Sequence, residues 1–192
     1  ALTRKGKDYV GYNVCGKLID FSDFGIPQKR TRFILVGIRK DIDDNPKFTA
    51  KNFFSELYKN RFEFLSNKSL VTRSTVEDAI SDLLQSNGIR PCPDSKSFDS
   101  AIYSNSKNIY QTRLRSKIVD KEIPDSHRFA KHRKETTKLF TRLISDAPKG
   151  KKLGESDKKK YQIKKRGLTV LDGTAPAPTI TSHPDDYVHY SE

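Results

Sequence analysis

Gly25-Ile26-Pro27-Gln28-Lys29-Arg30-Thr31-Arg32 runs directly into Phe33-Ile34-Leu35-Val36-Gly37-Ile38, and this junction decides how the chain is read. Glycine tolerates unusual dihedrals and proline fixes its own, so positions 25 and 27 predict a turn. The run after them has strand length and is apolar on both faces, which predicts a strand covered on both sides within a sheet. Residues 1–40 supply little to cover it: a polar start, then one more strand over Tyr9–Val14. They read as one edge of a larger α/β domain. On an extended chain Gln28, Arg30 and Arg32 share a face by the period of two. The plain alternative for Lys29, Arg30 and Arg32 is a solvated edge before a strand.

Beyond Asp41 the composition turns to mixed polar and aromatic segments, including Phe53-Phe54, Leu57-Tyr58, Phe62 and Phe64. Ser74 and Glu77 match a capping box, and Val76, Ala79, Ile80, Leu83 and Leu84 fall on one face, predicting a short helix closed by Asn87-Gly88. Residues 91–126, rich in Pro, Ser and Asn, show no period and read as an extended loop. A second helix is predicted over Lys131–Ser145. Phe129, His132, Thr136, Leu139, Phe140 and Leu143 share one face, while Lys131, Lys134, Lys138 and Arg142 form a basic stripe. Prolines at 176 and 178 then set an extended approach to a short strand over Thr179–Thr181.

The 192 residues include 37 basic and 24 acidic side chains, a formal charge of +13, which favours a polyanionic partner. Residues 151–166 alone hold eight basic residues, among them Lys158, Lys159, Lys160, Lys164, Lys165 and Arg166, against Glu155 and Asp157. Such crowding costs self-repulsion unless a polyanion relieves it. The two cysteines, Cys15 and Cys92, are too few for a disulfide scaffold and suit a reducing, cytoplasmic setting. No apolar run reaches membrane-spanning length. His127 and His132 lie five apart, His183 and His189 six apart; neither spacing stacks two imidazoles on one helical face, so no metal is expected. Asp185 and Asp186 are adjacent, point to opposite sides of an extended chain and suit a solvated turn better than acid/base work.

The segment 25–32 followed by an apolar strand closely resembles the Gln-x-Arg-x-Arg motif of the cytosine-5 DNA methyltransferases, the eighth of that family's ordered motifs. Pro176-Ala177-Pro178-Thr179-Ile180-Thr181, followed by His183-Pro184-Asp185-Asp186-Tyr187, is similar to the ninth. In that family the target-recognition region lies between these two motifs, and here a basic segment of about 140 residues separates them. The resemblance covers residues 1–42 and 166–192 well. It implies an α+β chain: the edge of an α/β methyltransferase sheet over 1–42, a small, mixed, loop-rich target-recognition domain over 43–165, and the ninth-motif segment over 166–192, truncated before the final motif. In that family cytosine is flipped from the duplex and its O2 and N3 are held. The resemblance gives this task to Arg32, a permanently charged donor. Arg30 and Gln28 then brace the neighbouring catalytic loop or the DNA backbone. Double-stranded DNA is the implied partner. Thr179 and the basic residues above are the implied contacts, with Arg113, Arg115, Arg128 and Arg133 as candidates for paired bonds to guanine.

The departures are as informative. The family's nucleophile is the Cys of a Pro-Cys-Gln loop upstream of Gln-x-Arg-x-Arg, and no such tripeptide occurs in the 192 residues. Pro91-Cys92-Pro93 lies downstream and has Pro where Gln is required. The family's S-adenosylmethionine loop, Phe-x-Gly-x-Gly, is also absent. The chain is therefore expected to bind DNA without holding the cofactor or transferring a methyl group by itself. The methyltransferase half that carries the nucleophile is expected N-terminal to it or on a separate subunit, in a bacterial restriction-modification enzyme. A stand-alone DNA-binding module is the alternative. An RNA-binding domain lacks support, because no aromatic stacking motif of the RNA-recognition type is present.

Overall fold

The structure is a computed structural model that describes residues 11–41, 49–118, 123–180 and 186–192. It is a mixed α+β chain whose described strands form three two-stranded sheets. The long hairpin comes first. Strands β1 (Tyr12–Asp20) and β2 (Thr31–Arg39) pair antiparallel over nine positions, from Tyr12 opposite Arg39 to Asp20 opposite Thr31. A 3₁₀ turn, Phe21–Phe24, joins them and ends on Gly25 at φ 80°. A Cβ there would stand 2.9 Å from the Val71 carbonyl, so glycine is required for both conformation and space.

The strand foreseen over Tyr9–Val14 begins later and runs further. Its first residues, Tyr9 and Val10, lie outside the described residues. The cover that the apolar run of β2 calls for is not supplied by the described residues on one face: Phe33 is 63% and Leu35 51% exposed, and Leu18 across from Phe33 is 64% exposed. Only the opposite face is packed, where Ile19 is buried.

Helix α1 (Phe53–Ser66) follows, burying Phe54 and Leu65. Helix α2 (Val76–Ile80) is shorter than its apolar spacing suggested, and its capping box is Thr75 with Asp78, one residue beyond the expected Ser74 with Glu77. Thr75 Oγ1 accepts from the Asp78 N–H at 3.1 Å and Asp78 accepts from the Thr75 N–H at 2.9 Å. Ser74 is buried instead. After Ile80 the chain tightens into two 3₁₀ turns, and Asn87-Gly88 closes the second of them rather than the helix.

Residues 91–126 are not a featureless loop. Strands β3 (Ile89–Pro91) and β4 (Asp99–Ala101) form a short antiparallel ribbon, and α3 (Ile109–Leu114) is capped by Asn108, which accepts from the Gln111 N–H at 3.0 Å. The fully buried Gln111 donates to Ser81 Oγ at 2.8 Å. A helix held by a buried amide leaves no apolar period to read.

Helix α4 spans Lys134–Asp146, because Arg133 is extended (φ −68°, ψ 153°) and serves as its N-cap. Lys131 therefore precedes the helix, and the stripe on the helix itself is Lys134, Lys138 and Arg142. The basic run after it holds an unforeseen helix, α5 (Glu155–Tyr161), with Lys158, Lys159 and Lys160 in its last turn, where cations suit the helix dipole. Strands β5 (Thr169–Val170) and β6 (Tyr187–Val188) pair in parallel. Leu143, Leu153, Tyr161, Leu168, Val170 and Val188 close the main core. Thr179 and Ile180 form no strand; Thr181 lies outside the described residues.

Candidate functional site

The two motif segments, about 140 residues apart in sequence, meet through the backbone. Ala177 donates its N–H to the Pro27 carbonyl at 2.9 Å, and its carbonyl accepts from the Lys29 N–H at 2.8 Å. Gln28 and Ala177 thereby form a parallel bridge. Thr179 extends the contact, its hydroxyl donating to the Lys29 carbonyl at 2.6 Å. The Tyr187 hydroxyl in turn donates to the Thr179 carbonyl at 2.8 Å. The first three of these bonds reach the backbone immediately before or after Gln28, so the chain leading to Arg30 and Arg32 is held by two segments rather than one.

Asp20 fixes the other side. Its Oδ1 accepts from the Ser22 N–H at 3.0 Å and the Arg30 N–H at 3.3 Å. Burial pushes the Asp20 carboxyl up, but bonds from Ser22 and Arg30 and the nearby Lys29 charge outweigh it and hold the group below the usual range. Arg32 is exposed at the second position of β2, opposite the buried Ile19, and its guanidinium donates to the Thr31 carbonyl at 2.8 Å. Arg30 is exposed and Gln28 half-buried. Most of the Arg32 donors thus remain open to solvent beside the motif junction.

The basic residues divide into committed and uncommitted ones. Arg113 Nε donates to the Lys68 carbonyl at 2.8 Å. Arg115 is bound more fully: Nε lies 3.4 Å from Asp82, Nη2 donates to the Ser104 carbonyl at 2.8 Å and to Ser106 Oγ at 2.6 Å, and the guanidinium covers the Tyr103 ring. Burial raises the Asp82 carboxyl despite the opposing Arg115 charge. Lys158 pairs with Glu155 at 2.6 Å and Lys165 with Asp186 at 3.1 Å. Lys160 and Arg142 lie over the Tyr161 ring. Arg128, Lys131, Arg133, Lys134, Lys138, Lys159, Lys164 and Arg166 are exposed.

Arg128, Ala130, Phe140, Ile163, Lys164 and Lys165 are among the residues that line a groove of about 830 Å³. His127 Nδ1 accepts from the Ala101 N–H at 3.4 Å, and burial lowers its pKa. Burial also lowers His189, aided by His127 and opposed by Glu192; its Nδ1 accepts from the Ser191 and Glu192 N–H groups at 3.3 Å. Among the described residues no group of three His, Cys, Asp or Glu is placed to hold a metal, and no helix is long and apolar enough to cross a membrane. His183 and Asp185 lie outside the described residues.

The sequence model of the C-5 cytosine-specific DNA methylases matches residues 7–191. The chain belongs to the cytosine-5 DNA methyltransferase family. It is 31% identical over 113 residues to Type II methyltransferase M.BsuRI of Bacillus subtilis, a match covering 59% of this chain and 21% of that protein. It is 36% identical over 74 residues to Type II methyltransferase M.BspRI of Lysinibacillus sphaericus, covering 38% of this chain and 15% of that one. The matches thus span about a fifth or less of these relatives' lengths. No solved structure matches.

One site-forming residue and one site-forming bond of this methyltransferase family member escape a motif reading. Asp20 sits outside the Gln-x-Arg-x-Arg pattern, and its signal is only an acidic residue ten positions before Arg30. Tyr187 was visible as part of the ninth-motif resemblance, but its bond to Thr179 was not.

Proposed function

We propose that these residues form the DNA-recognising part of a cytosine-5 DNA methyltransferase of a restriction-modification system, one that moves a methyl group from S-adenosylmethionine to C5 of cytosine in duplex DNA. In this reading residues 1–42 belong to the edge of the catalytic domain, 43–165 to target recognition, and 166–192 return the chain to the catalytic side. The observation that carries it is the pairing of Ala177 and Thr179 with Pro27 and Lys29, which joins the two family motifs across the intervening basic region.

Arg32 then donates to O2 or N3 of a flipped cytosine, while Arg30 and Gln28, held by Asp20 and Ala177, keep its strand end rigid. S-adenosylmethionine supplies the methyl group when bound, but the residues present do not fit it. Gly25, which turns the chain after β1, is covered by the Val71 carbonyl and opens no cradle. With no Pro-Cys-Gln in the sequence, the nucleophile and the cofactor loop come from outside these 192 residues, on the same polypeptide or on a second subunit. The exposed Leu18, Phe33 and Leu35 favour such a covering partner over a stand-alone module, because a solvated two-stranded ribbon is marginal by itself.

Anisotropy of a labelled duplex tests the DNA reading. Affinity should fall by about 10³-fold or more between roughly 50 and 200 mM salt if six or more phosphates are neutralised. A flat salt response removes the reading.

A further inference from the structure

We propose that residues 127–131 are the base-reading edge of this region and that Arg128 is its guanine-selecting side chain; the inference rests on the DNA-recognition reading above. The segment lies alongside β4. Phe129 donates its N–H to the Asp99 carbonyl at 2.8 Å, and His127 Nδ1 accepts from the Ala101 N–H at 3.4 Å. His127 and Phe129 also meet edge to face at 4.9 Å, and the His127 carbonyl faces Cys92 Sγ at 3.4 Å. These two residues are half-buried, whereas Arg128 and Ala130, between and after them, are exposed. The alternation is that of an extended segment laid beside β4, with two rings anchoring it and Arg128 and Ala130 turned outward.

What those outward side chains carry separates Arg128 from its rivals. Of the four arginines nominated by sequence for guanine, Arg115 spends its donors inside the fold, and Arg113 is tied through Nε to the Lys68 carbonyl. Arg133 holds the N-cap position of α4, four residues beyond Phe129, the last residue bonded to β4. Arg128 has a ring contact with Phe98, 6.0 Å from the guanidinium carbon, and no hydrogen bond or ion pair among the described residues. Lys131 lies at the same distance from that ring. The guanidinium therefore keeps its forked donors, the geometry that matches guanine O6 and N7, on a rigid support. The small Ala130 beside it lines the 830 Å³ groove, as does Lys164. Arg128 on this edge then meets bases in a major groove, with Lys164 left to meet a phosphate.

The test uses the 192-residue protein and a pool of duplexes with a randomised central stretch, sequencing the bound fraction. Wild type should enrich duplexes with a guanine at one or more fixed positions. R128A should lose about 10- to 100-fold of the preference at one guanine while other positions keep theirs. R128K should recover total binding more than it recovers that preference. K164A should weaken all duplexes evenly and lower the salt slope by about 1. Because Arg128 is exposed, thermal melting of R128A should match wild type. An even loss across the pool for R128A would make it a phosphate contact and overturn the proposal, as would a wild type that binds duplexes without preference. A wild type that binds no duplex sinks the DNA-recognition reading itself.

Discussion

The β1–β2 hairpin and the module of α4, α5, β5 and β6 are both rich in branched apolar residues, yet they dispose of them in opposite ways. The module buries Leu143, Val170 and Val188 completely, against Leu153, Tyr161 and Leu168 from the intervening chain. The hairpin completes its backbone ladder over nine pairs but leaves Leu18, Phe33 and Leu35 in water on one face. The Phe33 ring reaches diagonally over Gly16, where a Cβ would collide with it, yet the face stays uncovered. Hydrogen bonding and burial are therefore separate achievements. A strand pair satisfies its polar backbone between two neighbours, whereas its apolar faces need a further layer.

Four variants press on this contrast, in falling order of expected effect. Leu143→Ala removes the centre of the closed core and should cost about 3 kcal/mol, read as a lower urea midpoint. A loss under about 1 kcal/mol would mean that the module is no better closed than the hairpin. Arg115→Ala leaves the buried Asp82 carboxylate without its partner and should cost about 2 kcal/mol in the same measurement. Thr179→Val deletes the bond to the Lys29 carbonyl and should cost about 1 kcal/mol. Its specific signature is faster amide exchange at Lys29 and Ala177, and unchanged exchange there would show that the junction does not depend on the hydroxyl. The double change Leu18→Ser with Phe33→Ser should alter stability by less than about 0.5 kcal/mol, since both side chains are already solvated, while lowering the fluorescence of a hydrophobic dye bound to the chain. A large destabilisation there would show that the face is covered in solution and erase the comparison.

Much of the local chemistry was legible in the sequence. Turn residues 25–27, the strand after them and the amphipathic helix over 134–146 follow from dihedral preference and apolar spacing, which act between near neighbours. The α2 cap shows the limit: Ser74 with Glu77 and Thr75 with Asp78 both fit the pattern, and the burial of Ser74 decided between them. Helix α3 was hidden because its anchor is the amide of Gln111, bonded to Ser81 thirty residues away. Helix α5 was hidden within a lysine run whose helical role rests on Tyr161 entering the core.

The same boundary runs through the candidate site. Gln28, Arg30, Arg32 and Thr179 stood out by residue type and order, so sequence by itself determined the family resemblance, the strand that follows the motif and the strongly basic character of the chain. Which arginines are spent inside the fold and which keep their donors depends on Asp82, Ser104 and Ser106 closing on Arg115 while no acid among the described residues pairs with Arg128. Only the tertiary structure decided that, and only it joined Lys29 to Ala177 and left one face of the hairpin bare. Contacts between residues far apart in the chain depend on how the elements pack, and the pattern within any one segment does not encode that packing.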